Sequence, residues 1–309
     1  MRTTVSLVLL AFWLAAQDRA PALRVAVTFD DLPIAGDFAH DAATSRAVTT
    51  RLLDTFAQHR IPVVGFVIAS KVLRDGKPDP EQVALLNAWL DRRMELGNHT
   101  YSHRDFHASS LEEMQADVIR ADQILKPILR EHAAFLRFFR HPFLHTGRDA
   151  KTRTAFEDFL ASRGYRVAPV TIDNDDYVFA AAYDRAVAQQ NADATRRIAG
   201  TFVSYMEDKF SFFERNSGQL FGRQITQVLL LHVNQLNAAT FDRLAGRLEA
   251  RGYQFVPLTE ALKDSAFATR DEYFGPAGIT WLHRWALTMG MPKTFYEGEP
   301  ETPAWITAK

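Results

Sequence analysis

The chain has 309 residues, 47% of them hydrophobic and 24% charged, and a formal net charge of −1. That length and balance allow one substantial core and exclude a disordered chain, while near-neutrality without blocks of like charge excludes a field that would gather nucleic acid or anionic lipid. There is no cysteine, so neither a disulfide nor a lipobox thiol is available and the fold is indifferent to redox conditions.

Met1-Arg2 and the apolar run over 5–16 have the layout of a secretory signal and are too short to span a bilayer. Gln17 to Pro21 breaks the run. We therefore expect a signal peptide over 1–20, a secreted or periplasmic mature protein without stable membrane insertion, and a single domain over 21–309.

From Leu23 onward, short apolar β-rich runs alternate with amphipathic stretches, the pattern of parallel βα units. Seven strands are expected, at 23–29, 61–68, 93–98, 135–139, 165–172, 226–232 and 253–256. Between them, Ser110-Leu111-Glu112-Glu113 reads as a capping box opening a helix to Arg130, and Gly164 and Gly252 stand where helices stop. The interval 178–224, between the fifth and sixth strands, is too long for a simple crossover and reads as a helical insertion of two helices. Its Phe202, Tyr205, Phe210, Phe212 and Phe213 fit core packing, as do Trp281 and Trp285 in a C-terminal tail over about 265–309.

Polar residues cluster where these strands end: Asp30-Asp31, His99, Arg140, Asp173 to Asp176 and His232. In a parallel α/β barrel, closed or nearly closed, such ends converge on one face and meet in one pocket. Two carboxylates at the end of a buried strand require a compensating cation. His99 and His103, four residues apart, can present both imidazoles on one side of a turn, and two histidines with a carboxylate and an open position form a hydrolytic zinc site. Arg140 can hold a carboxylate ionised, with Asp30 the obvious partner. His232, closing the apolar run 228–231, suits a buried general acid. His107, His141 and His145 read as hydrogen-bonding or surface residues.

Five ordered signatures resemble the polysaccharide deacetylase family, also called NodB-homology or carbohydrate esterase family 4. They are Thr28-Phe29-Asp30-Asp31, His99 to His103, Arg140-His141-Pro142-Phe143, Asp173 to Tyr177, and Leu230-Leu231-His232. The resemblance implies a distorted parallel (β/α) barrel of about seven strands and a divalent metal, most readily Zn2+ with Co2+ or Mn2+ as alternatives, on Asp31, His99 and His103. Asp30 would be the catalytic base held by Arg140. Asp176, or alternatively Asp173, would orient His232, the catalytic acid. The Phe143 N–H would serve the oxyanion, and Tyr177 and Leu230 would line the pocket for the acetyl methyl. The implied reaction removes N-acetyl groups from amino sugars through a water that the metal activates. An O-acetyl esterase and a non-catalytic glycan-binding module are the alternatives, and the expected partner is an acetylated saccharide.

Leu32, Tyr177 and Val233 stand where the family usually has glycine, tryptophan and aspartate, and are expected to alter the pocket walls. The insertion, tied at both ends to the catalytic face, is expected to roof one side of the pocket and favour short saccharides.

Overall fold

The computed structural model describes residues 23–36 and 41–307, so the expected signal segment over 1–20 lies outside the described residues. Apolar runs become parallel strands: β1 (Leu23–Leu32), β2 (Val63–Val67), β3 (Glu95–Asn98), β4 (Phe138–Phe139), β5 (Arg166–Val167), β6 (Gln227–His232) and β7 (Tyr253–Phe255). They form one seven-stranded sheet in the order β5-β4-β3-β2-β1-β6, with β7 pairing β1. The sheet curls, and a parallel bridge from Ile172 to Leu229 ties the segment leaving β5 back onto β6. This is the distorted parallel barrel expected from the sequence. Several expected strands are shorter than their apolar runs, because the chain leaves the ladder once its side chains reach the rim.

Alternation along β1 separates two environments. Val25, Val27 and Phe29 face outward into the larger core beneath the helices, while Ala26 joins Val64, Phe66, Phe138 and Val228 inside the barrel. Thr28 and Asp30 share the inward phase of Ala26, since successive strand side chains point to opposite faces. Register then brings chemistry together: Asp30 on β1 stands opposite His232 on β6.

The outer layer comprises α1 (Ala42–Gln58), α2 (Pro80–Asp91), α3 (Leu111–Glu131), α4 (Ala150–Ser162), α5 (Asp176–Ala188), α6 (Ala192–Phe221) and α7 (Gln235–Ala250). The Ser110/Glu113 capping box is present, with Ser110 Oγ accepting from Glu113 N at 3.2 Å and Glu113 Oε2 accepting from Ser110 N at 2.8 Å. Gly164 and Gly252 follow α4 and α7 with φ of 80° and 89°, backbones that favour glycine. The insertion forms α5 and the 30-residue α6, whose Phe202, Phe210, Phe212 and Phe213 are buried. A short helix α8 (Leu258–Ala261) follows β7, and the tail adds α9 (Trp281–Thr288) and α10 (Ala304–Thr307). Among the described residues no helix is long and apolar enough to cross a membrane.

Candidate active site

One cavity of about 1040 Å³ opens at the C-terminal ends of the strands, lined among others by Asp30, Asp31, His99, His103, Phe143, Tyr177, Leu230 and His232. Residues about two hundred positions apart meet there because the strand ends, and the turns that follow them, converge on this face. Arg140 and Asp176 stand behind this lining. Arg140 is fully buried, its Nη1 3.8 Å from Asp30 Oδ2 and its Nη2 donating to Thr28 Oγ1 at 2.8 Å.

Asp31, His99 and His103 each offer a ligand atom within 4.8 Å of the others. Asp31 Oδ1 lies 3.6 Å from both His99 Nε2 and His103 Nε2. It is buried without any hydrogen-bond partner. A hydrogen bond would bring such atoms to about 2.7–3.2 Å, whereas ligands sharing one tetrahedral zinc at about 2.0–2.1 Å lie about 3.4 Å apart. The donor set and its spacing therefore fit a divalent ion. His99 Nδ1 lies 2.9 Å from the Arg140 carbonyl, an outer bond that turns Nε2 toward Asp31. Burial holds the His99 imidazole well below its usual pKa, in the neutral form that a ligand needs. Asp31 (φ 66°) and His103 (φ 54°) both have left-handed backbones, the local strain that ligand clamps concentrate.

The adjacent aspartates differ sharply. Burial pushes Asp30 up to about 6, although Arg140 and His232 pull it down. Asp31 is less enclosed, and His232, Lys71, His99 and His103 overcome its burial and hold it at about 2. Lys71 Nζ is 3.8 Å from Asp31 Oδ2 and donates to the Ile34 carbonyl at 3.1 Å.

His232 Nδ1 lies 2.7 Å from Asp176 Oδ1. Burial opposes its protonation, but the charge and hydrogen bond of Asp176 raise His232 to about 10. Asp176 is itself fixed, its Oδ2 accepting from His232 N at 2.7 Å and from Asn237 Nδ2 at 2.6 Å. Asp173 lines the cavity, with burial pushing it up to about 6, and Asn174 N donates to its Oδ1 at 2.9 Å. The His232 ring is thus held by Asp176 and not by Asp173.

The surroundings correct three expectations. Of the residues departing from the family pattern, only Tyr177 lines the cavity. Leu32 and Val233 are fully buried, and a β-carbon on Gly65 would come within 2.5 Å of Leu32 Cδ2, so Leu32 fills space beneath the site. His141 is neither exposed nor a surface contact: it packs among Phe106, Phe139 and Phe156. His145 keeps the hydrogen-bonding reading, its Nδ1 2.7 Å from Asp105 Oδ1, while its ring lines the cavity and stacks on His107 with ring centroids 3.9 Å apart. The insertion does not roof the cavity as a unit, because α5 supplies Ala180, Ala181, Asp184 and Arg185 to the wall while no α6 residue lines it.

Lys71 and Asn237 escape sequence reasoning because they act through remote contacts; Thr28 belongs to the first signature, but its bond to Arg140 follows only from the inward phase of β1. Gly278, Ile306 and Thr307 bring the C-terminal tail to the same cavity.

Residues 17–159 match the sequence model described as polysaccharide deacetylase. Over that segment the chain is similar to the polysaccharide deacetylase family. It is 28% identical over 134 residues to a chitooligosaccharide deacetylase of Sinorhizobium fredii, a match covering 43% of this chain and 53% of that protein. The chain thus spans about half the length of this curated relative. Its fold resembles that of a mutant of a CE4 family pseudoenzyme from Bacillus anthracis with restored enzymatic activity, at a TM-score of 0.50 and 16% identity, covering 79% of this chain and 69% of that one. The family match ends at 159, so the segments carrying Asp176 and His232 stand on geometry.

Proposed function

We propose that this chain is a member of the polysaccharide deacetylase family and a metal-dependent hydrolase that removes acetyl groups from the nitrogen of amino sugars in an acetylated saccharide. The observation that carries the reading is a set of three ligand atoms within 4.8 Å of one another, flanked by the buried carboxylate of Asp30 on one strand and, opposite it on the neighbouring strand, by His232 with its Nδ1 2.7 Å from Asp176 Oδ1. A divalent ion held by Asp31, His99 and His103, zinc first and cobalt or manganese as alternatives, supplies Lewis acidity and lowers the pKa of water.

The chain's own groups divide the rest. Asp30, oriented by Arg140, accepts a proton from the attacking water. As the new C–O bond forms, negative charge grows on the acyl oxygen, and the Phe143 N–H is the protein donor that stabilises it. When the C–N bond breaks, His232 gives its proton to the departing nitrogen, and Asp176 keeps that imidazole charged and aimed. Tyr177, 60% exposed, and the buried Leu230 flank the acetyl methyl. A binding module needs neither a proton acceptor nor a protonated acid, so the pair supports catalysis.

The test is acetate release by zinc-reconstituted protein across N-acetyl and O-acetyl saccharides of matched size. An amine leaves only with a proton and an alcohol needs one less, so the reading expects N-acetyl sugars to be cleaved and His232→Ala to suppress that cleavage strongly. Release confined to O-acetyl sugars would replace it with an esterase.

A further inference from the structure

The turn that carries Phe143 adopts a conformation that its residues resist. Phe143 and Leu144 have φ of 56° and 55°, the left-handed region that residues with a β-carbon avoid. Such strain persists only where the surroundings over-determine it. The turn's own bonds, Leu144 N to the His141 carbonyl and His145 N to the Pro142 carbonyl, both 3.1 Å, do not reach outside it.

The outside support comes from a segment more than 130 residues away. Arg284, 1% exposed, donates through Nη1 to the Leu144 carbonyl at 3.4 Å and through Nη2 to Thr146 Oγ1 at 2.6 Å. Its Nε donates to Asp271 Oδ2 at 2.7 Å, which fixes the guanidinium. In front of it, Gly278 presses so closely on the turn that a β-carbon there would lie 1.8 Å from the Phe143 carbonyl oxygen. Trp281 N donates to the Val170 carbonyl at 2.7 Å and anchors the start of α9 to the barrel. The whole bracket lies beyond the segment that matches the family.

We propose that Gly278 and Arg284 are positioning residues that aim the Phe143 N–H into the cavity. This rests on the reading of Phe143 as the oxyanion donor. Turning that N–H away requires rotation about φ of Phe143, which swings its carbonyl against Gly278 and pulls the Leu144 carbonyl off Arg284. A static bracket of this kind keeps the donor aligned before charge develops, the condition under which such a donor is effective.

The experiment compares Gly278→Ala with Gly246→Ala, whose added methyl meets nothing within 4 Å, and with Arg284→Lys, which keeps the charge but loses the fork. Gly278→Ala is expected to lower kcat about a hundredfold with KM little changed, since one oxyanion donor is worth about a hundred to a thousand fold. Bound zinc per chain should equal the parent's, and hydrogen exchange at amides 143–146 should quicken. Arg284→Lys should move kcat and exchange in the same directions, and it carries the test alone should Gly278→Ala fail to fold. Parent kcat and parent exchange at 143–146 in these variants would overturn the proposal. If the parent releases no acetate from any saccharide, the functional reading falls, and exchange alone then decides whether the bracket holds the turn.

Discussion

Asp30 and Asp31 share a peptide bond yet sit at about 6 and about 2, because only Asp31 is surrounded by enough cationic and imidazole groups to overcome burial. Both carboxylates approach His99 Nε2, Asp30 Oδ2 at 3.9 Å and Asp31 Oδ1 at 3.6 Å, but only Asp31 also lies 3.6 Å from His103 Nε2. Asp30→Asn is therefore expected to keep bound zinc, measured by elemental analysis, while turnover falls by about a hundred to ten thousand fold. Asp31→Asn and His103→Ala should lose the zinc itself; full metal content in His103→Ala would remove the ligand assignment. Asp176 supplies the pH prediction. His232 is raised to about 10 chiefly by that carboxylate acting against burial, and an acid works only below its pKa. Asp176→Asn removes the charge that favours the imidazolium, so the alkaline fall of the pH–kcat profile should move to lower pH. A limb that stays in place would show that another group protonates the leaving nitrogen.

At the scale of elements, strand ends deliver the reacting groups and glycines let the strands pack. A β-carbon on Gly97 of β3 would lie 2.5 Å from the Phe66 ring, on which the Arg140 guanidinium sits 4.7 Å from the centroid. Gly97→Ala should destabilise the fold by about 1–3 kcal/mol in denaturant titration, the usual penalty of overpacking. His59, capping α1, joins α7 through Nε2 to Asp242 at 2.9 Å and Nδ1 to Glu249 at 3.0 Å. Burial works against its charge, but the two carboxylates raise its pKa overall. A raised pKa contributes stability below the unfolded value near 6.5 and loses it as pH rises through the folded value. His59→Gln should thus cost about 1 kcal/mol or less at about pH 5.5 and less still at about pH 9; a penalty growing with pH would reverse the assignment. These elements also show what the sequence makes legible. The strands are readable because buried parallel strands are continuous apolar runs, and the polar residue that ends each run marks the rim. The capping box and the glycine stops are local chemistry and are equally readable. Gly278 and Arg284 are not, because their contacts are with backbone atoms more than 130 positions away and no local pattern encodes such partners.

At the scale of the whole molecule, parts of the chain outside the family match help to bound the cavity at both ends. One end is the Phe143 turn backed by Gly278, and the other is α5 with the final turn α10 laid against it. Ile306 is buried and lines the cavity beside Ala180 and Ala181, while Thr302 Oγ1 donates to Asp175 Oδ2 at 2.8 Å. The Arg197 guanidinium lies 4.0 Å from the centroid of the Trp305 ring and pins the same turn to α6. We therefore expect a saccharide entering toward His232 to meet a wall a short way beyond Tyr177, whereas a polymer threading the site needs an open groove on both sides. The insertion acts here by presenting α5 and by seating the tail, with α6 as its buttress. We expect kcat/KM on N-acetylglucosamine oligomers of one to six sugars to peak at short lengths and to stay low on polymeric chitin. A chain ending at Glu301 loses the α10 wall but keeps the Lys209–Glu299 ion pair of 2.7 Å that holds the tail up to that point. It should gain relative activity on the longer oligomers while its metal content is unchanged. A rate that climbs with every added sugar in the parent, and a truncation that leaves the length profile as it was, would show that the substrate does not run toward α5 at all.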